Sequence, residues 1–372
     1  MNNFNPTQKP GRKKLFLFSF ITFLVSLSLL TGLSEIMVRM IIPKETFWPV
    51  SNIYRPSNNP NILYTYKSNF SGVAFGQKLN TNDLGFRGPN WSQEKPAHVF
   101  RIALIGDSHA FGYGVAFEDT VGEVLTKILS DKHSISVEVM NFGVNGFNSL
   151  QQEAVLSDIA LNYDPSLVVI LPANNDHQNA LTADTEGWLH WDGDDKNSKS
   201  RMIDRSIEKT KVEDVFGFRK KSHLYLYFKL WQKRYALQNG SGTPRDVDTS
   251  TTNMTAKWMG EFSLGPISER LREPVYEPLN RMLTKLKTRQ TPVVLASYIS
   301  HLDYRQMLLE LETTFSVPHV ELLSLFPEAH NFEQLVEQFS LGWDNHLNAQ
   351  AHKRWAEAIA RLIDENSYVS TN

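Results

Sequence analysis

No cysteine occurs among the 372 residues, which excludes disulfides, thiolate metal sites and a cysteine nucleophile together. An excess of charge is also missing. With 38 basic and 40 acidic residues the net charge is −2, too balanced to leave an electrostatic footprint for a nucleic-acid backbone. None of the 11 histidines falls in an H-E-x-x-H or comparable spacing, so neither a metal nor another cofactor is expected. What remains, 41% hydrophobic and 21% charged residues, is the composition of a folded protein.

Charge is absent from one stretch in particular. From Leu15 to Leu33 no residue ionises, and at about 1.5 Å per residue that run covers a bilayer core of about 30 Å. Lys9, Arg12, Lys13 and Lys14 precede it and Glu35 follows, so a single transmembrane helix is expected with its N-terminus in the cytoplasm and the rest of the chain outside. Ser26, Ser28 and Gly32 are poor substitutes for a small-residue cleavage site, which favours an uncleaved anchor over a signal peptide.

The chain then divides into a tail at 1–14, the anchor at 15–33, a β-rich lead-in at 34–98, a main domain at 99–366 and a tail at 367–372. The lead-in is rich in Pro, Asn, Gly and aromatics and lacks helical periodicity. Within it, Phe86 and Arg87 follow a turn and are expected to pack on the main domain rather than to bind substrate. From Phe100 onward short apolar strands alternate with helical patterns. Strands are predicted at Ile102–Ile105, Val137–Met140, Leu167–Leu171, Val293–Ala296 and, more weakly, Val320–Leu322. Helices are predicted at Thr120–Leu129, Ser149–Leu161, Ile267–Leu286, Tyr304–Thr314 and Ala349–Ile363. Near-continuous apolar strands between helices imply an α/β domain whose parallel sheet is covered on both faces, with ligands bound beyond the strands' carboxyl ends. The rhythm fails at about 180–264, an insertion after the third strand that is expected to act as a lid or substrate platform.

Four segments sit where such a sheet places chemistry. Gly106-Asp107-Ser108-His109 leaves the first strand, where a serine can present its hydroxyl to the cleft. Asn141-Phe142-Gly143-Val144-Asn145-Gly146 leaves the second, and a glycine there can aim an N–H at a developing oxyanion. Ala173-Asn174-Asn175-Asp176 leaves the third and offers a further amide donor. Asp344-Asn345-His346 precedes the closing helix, for which Asn348 is a fitting N-cap. Singly, each is a common turn or cap. In this order, at these positions, they supply a nucleophile, a base that accepts its proton and a carboxylate to hold the base.

On these motifs the chain resembles the SGNH hydrolases, also called GDSL-like esterases and lipases, over roughly Phe100 to Ile363. The resemblance implies a flavodoxin-like three-layer α/β/α sandwich, with Ser108 as nucleophile, His346 as base and Asp344 as its acid. It implies an oxyanion hole from the Ser108 N–H, Gly146 and Asn175. Three departures stand out: His109 replaces the usual leucine after the serine, Ala173 replaces a glycine, and one residue rather than two separates Asp344 from His346. The implied function is ester hydrolysis outside the cytoplasm, on acyl esters of carbohydrate or lipid. Transfer of the acyl group to a surface polysaccharide, and an inactive glycan-binding module, are the alternatives.

Overall fold

In the computed structural model the described residues are 12–41, 53–178, 180–183, 185, 189–191, 222, 224–225, 228, 269–299, 302–329, 332–341 and 346–369. Helix α1, Arg12–Ile41, is long and apolar enough to cross a membrane, and none of its residues is buried against the rest of the chain. Two antiparallel hairpins follow, β1 (Tyr54–Pro56) with β2 (Tyr64–Tyr66) and β3 (Ser71–Ala74) with β4 (Gln77–Asn80).

The main domain is built on five parallel strands, β5 (Val99–Gly106), β6 (Ser136–Asn141), β7 (Leu167–Leu171), β10 (Val293–Ser297) and β11 (His319–Glu321). They lie in the order β11-β10-β7-β5-β6, the flavodoxin-like arrangement, whose topological switch point falls between β5 and β7. Strand alternation sorts the side chains into two layers. Ile102, Leu104, Leu167, Val169, Val294 and Ala296 face α3 (Val121–His133) and the closing helix α8 (Ala349–Glu365). Ala103, Ile105, Val168, Ile170, Val293 and Leu295 face α4 (Ser149–Asp158), α5 (Glu277–Thr288) and α6 (Leu302–Phe315). This is the expected three-layer α/β/α sandwich.

Local chemistry sets the helix ends. Thr120 caps α3, and Asn148 and Gln151 form a reciprocal capping box at the start of α4. One continuous helix from Ile267 was expected before β10. Instead a helical turn, Glu269–Leu271, passes into a π-turn, Arg272–Tyr276, before α5 begins. Pro274 lies inside that turn, has no N–H to give and crowds the preceding carbonyls, so the ladder widens there. Arg101 is buried on β5, a placement whose desolvation cost of several kcal/mol is offset by Glu138 at 2.6 Å and the Tyr163 carbonyl at 2.8 Å.

The hairpins of the lead-in join the α4-side core through Tyr54, Tyr64, Tyr66, Phe75 and Phe86. Of the insertion, a third hairpin is described, β8 (Leu181–Ala183) with β9 (Leu189–Trp191), and β8 lies against β1 and β2. Most of the remainder up to 264, including most of the aromatic and basic segment, lies outside the described residues.

Candidate active site

The site forms where β5, β6 and β7 end. Asp107 leaves β5 as the N-cap of the one-turn helix α2, Ser108–Phe111, accepting from the His109 N–H at 2.9 Å. Ser108 is thereby set on the first turn with its hydroxyl 2.8 Å from Nε2 of His346, and 3.3 Å from Oδ2 of Asp107. The hydroxyl has one proton to give, and the shorter of the two contacts is the one to the imidazole. Residues 108 and 346 are thus brought together across the whole main domain.

The β6 loop closes over α2. Asn141 donates from Nδ2 to the Ala110 carbonyl at 2.7 Å and accepts from the Gly143 N–H at 2.9 Å. Gly143 approaches so closely that a Cβ built there would lie 2.4 Å from the Phe111 nitrogen, so no larger residue fits. Gly146 has φ +77°, the left-handed conformation that glycine adopts without strain. The N–H groups of Ser108 and Gly146 donate to none of the described residues, which leaves both available to an oxygen in the cleft.

The β7 loop is tied from below. Asp176 is fully buried; Oδ2 accepts from the Ala173 N–H at 3.0 Å and Oδ1 from Gln152 Nε2 at 2.9 Å. Burial, and then the nearby Asp107, hold its carboxyl well above the usual carboxylate range. Asn175 sits half-buried in this turn, and its side-chain amide makes no hydrogen bond with the described residues. It makes no hydrogen bond to Ser108, and both stand at strand ends flanking the switch point.

His346 is held by an element that the sequence reading left out, α7, Phe332–Phe339. The Leu341 N–H donates to the His346 carbonyl at 2.9 Å, the Asn348 N–H donates to the Phe339 carbonyl at 2.6 Å, and Asn348 caps α8 as expected. The signal for α7 was present in the spacing of Phe332, Leu335, Val336 and Phe339. The imidazole of His346 stacks on Tyr113, with ring centres 4.3 Å apart, and lies 5.0 Å from the ring of His109. The departure at position 109 therefore adds a second aromatic wall beside the His346 ring. Asp344 lies outside the described residues.

Arg87 also belongs to this neighbourhood. It is buried, with Nη1 donating to the carbonyls of Phe111 and Gly112 and Nη2 to that of Val115, at 3.1, 2.8 and 2.8 Å. Burial pulls its guanidinium down to about 10, so it stays charged at neutral pH and pins the loop that follows Ser108. Among the described residues no cluster of His, Asp and Glu could hold a metal ion.

No protein-family model matches the chain, and no curated protein matches it. Among solved structures it is similar to a lipolytic protein of the G-D-S-L family from Desulfitobacterium hafniense, 13% identical over 71% of this chain and 99% of that one, with a TM-score of 0.37. A lipase/acylhydrolase from Enterococcus faecalis is 11% identical over 72% of this chain and 96% of its own, with a TM-score of 0.37. A catalytic mutant of an acetylxylan esterase from Geobacillus stearothermophilus is 13% identical over 73% and 97%, with a TM-score of 0.38.

Proposed function

We propose that this chain is a serine-dependent ester hydrolase of the SGNH type, held at a membrane by α1, with Ser108 as nucleophile and His346 as general base. The observation that carries the reading is the 2.8 Å contact between Ser108 Oγ and His346 Nε2, made at the sheet edge where two backbone N–H groups stand ready. In the reaction, Ser108 Oγ bonds to the ester carbonyl carbon as its proton passes to His346 Nε2. The oxygen that becomes negative takes hydrogen bonds from the N–H groups of Ser108 and Gly146 and from the side-chain amide of Asn175. The carbon–oxygen ester bond then breaks, His346 returns the proton to the departing alcohol, and water repeats the sequence to free the acid and Ser108. Asp344 is the residue we assign to orient His346.

The charge pattern around α1 supports a catalytic domain outside the cytoplasm, and carbohydrate esters are the substrate class we favour, with lipid esters second. Acyl transfer to an alcohol other than water uses the same residues. Hydrolysis of short and long p-nitrophenyl esters by the full chain, with fluorophosphonate labelling in parallel, tests the reading. Ser108→Ala is expected to abolish both labelling and turnover, a loss of at least about a thousandfold. Full activity in that variant would refute the assignment, and glycan affinity without labelling of the native chain would favour a binding module.

A further inference from the structure

Asn145 and Gly146 share one peptide unit, and its orientation is set from outside the main domain. Tyr64 and Tyr66 stand two residues apart on β2, so both rings project from one face of that strand, and both are fully buried. The Tyr64 hydroxyl donates to the Asn145 carbonyl at 2.7 Å, while the Asn145 N–H donates to the Tyr66 hydroxyl at 3.0 Å. Two phenols thus grip both backbone groups of one loop residue, much as a neighbouring strand would. Tyr54, on β1, stacks on Tyr66 with ring centres 5.1 Å apart. The Tyr64 ring is held in turn by an edge contact with Phe147, 5.2 Å between centres.

The geometry of a trans peptide gives this grip a consequence. The unit is planar, and its C=O and N–H point in opposite directions. A carbonyl of Asn145 fixed toward Tyr64 therefore fixes the Gly146 N–H away from Tyr64, on the opposite side of the loop. Without the grip this peptide is the easiest in the loop to turn over, because glycine at 146 tolerates both signs of φ. We propose that Tyr64 and Tyr66 are positioning residues for the oxyanion hole: the lead-in hairpin holds the 145–146 peptide in the one orientation that presents the Gly146 N–H to the reacting ester. The lead-in is then part of the catalytic apparatus and not only a cover over α4. This inference rests on the serine-hydrolase reading above and deepens it.

The test uses the full chain in detergent micelles, with Tyr64→Phe, Tyr66→Phe and, as a control, Tyr276→Phe, whose hydroxyl donates to Glu310 on α6 and not to the Asn145 loop. Active sites are titrated with a fluorophosphonate, and kcat and KM for p-nitrophenyl acetate are taken per titrated site. Inhibition by an arylboronic acid, which forms a tetrahedral adduct with the serine, reports the oxyanion hole directly. For Tyr64→Phe, kcat should fall roughly tenfold, with KM unchanged and the boronate inhibition constant raised by the same factor, a fraction of the loss seen when an oxyanion donor is removed outright. Tyr66→Phe should show the same pattern at about threefold, since it frees the N–H end of the grip and leaves the carbonyl end in place. The control should leave all three values unaltered. The proposal is overturned if both site variants keep normal kcat and boronate affinity per titrated site, including the case where only the titratable fraction drops, which would make the tyrosines purely structural. A native chain that neither labels at Ser108 nor turns over ester would instead sink the serine reading, and the wild type alone reveals that.

Discussion

Ser108 leaves an inner strand of the sheet, with β7 on one side, β6 on the other and helices over both faces, whereas His346 lies between α7 and α8, off the sheet, with its carbonyl accepting from the Leu341 N–H. The place of Ser108 follows from the sheet itself: Asp107 caps its turn, Asn141 and Gly143 close on it from β6, and Arg87 ties down the loop beyond. His346 is held differently. Its carbonyl accepts from Leu341, just past α7, and its ring rests on Tyr113, which belongs to the loop that follows Ser108. The base is thus aimed partly by the region it serves, so a disturbance of the nucleophile loop should reach both groups, while a disturbance near the base should leave Ser108 in place.

Gly143→Ala gives the harshest test of that asymmetry. The added methyl meets the Phe111 backbone nitrogen at 2.4 Å and forces the β6 loop and α2 apart. Overpacking of this kind costs about 1–3 kcal/mol, and a displacement near 1 Å at reacting groups can remove on the order of a hundredfold in rate. Thermal unfolding and ester hydrolysis should both register it, and normal hydrolysis in the variant would break the claimed dependence on the β6 loop. Tyr113→Leu comes next. Loss of the stacked ring should lower kcat/KM by about tenfold, the worth of one aromatic contact to an imidazolium, while the rate at which a small fluorophosphonate finds Ser108 falls no further than turnover and melting temperature is nearly unchanged. A variant that is as active as wild type would show that the base needs no support from the nucleophile's loop.

The gentlest test concerns the bolt between the two regions. His352, on α8, accepts the Val121 N–H at the start of α3 through Nδ1, and burial, followed by His109 and Arg87, pushes its imidazole down to about 3. In the unfolded chain the same ring protonates near pH 6.5. Stability contributed by the neutral ring is therefore complete above about pH 6.5 and is lost as the pH falls from there toward 3, by up to about 1.4 kcal/mol per unit. His352→Asn keeps an acceptor for Val121 and should flatten urea-unfolding stability measured at pH 7, 6 and 5. An unaltered slope would mean that the ring does not stay neutral in the folded protein.

The sheet was legible because its strands alternate or run apolar over whole segments: Leu167–Leu171 was placed to the residue, and the ends of β5 and β6 followed from the Gly and Asn that close them. The positions of Ser108, Gly146 and Asn175 past the strand ends were legible for the same reason, since a residue just past a strand end is located once the strand is. The support of the base was not. The spacing of Phe332, Leu335, Val336 and Phe339 announces a helix, but nothing in it says that the Phe339 carbonyl and the Leu341 N–H will meet Asn348 and His346. The grip on Asn145 was still less accessible. Tyr64 and Tyr66 read as alternate aromatics in a three-residue strand, and their partner is 81 and 79 residues away, a distance that only tertiary packing brings to hydrogen-bonding range.

The most direct measurement is a double-mutant cycle on the two groups that the fold brings within 2.8 Å of each other. Rates of p-nitrophenyl acetate hydrolysis are taken for Ser108→Ala, His346→Ala and the combined variant of the full chain. If the two act as one catalytic unit, each single change should remove nearly all the rate and the second should cost almost nothing more. Losses that multiply, or a His346→Ala enzyme that keeps its wild-type rate, would contradict it.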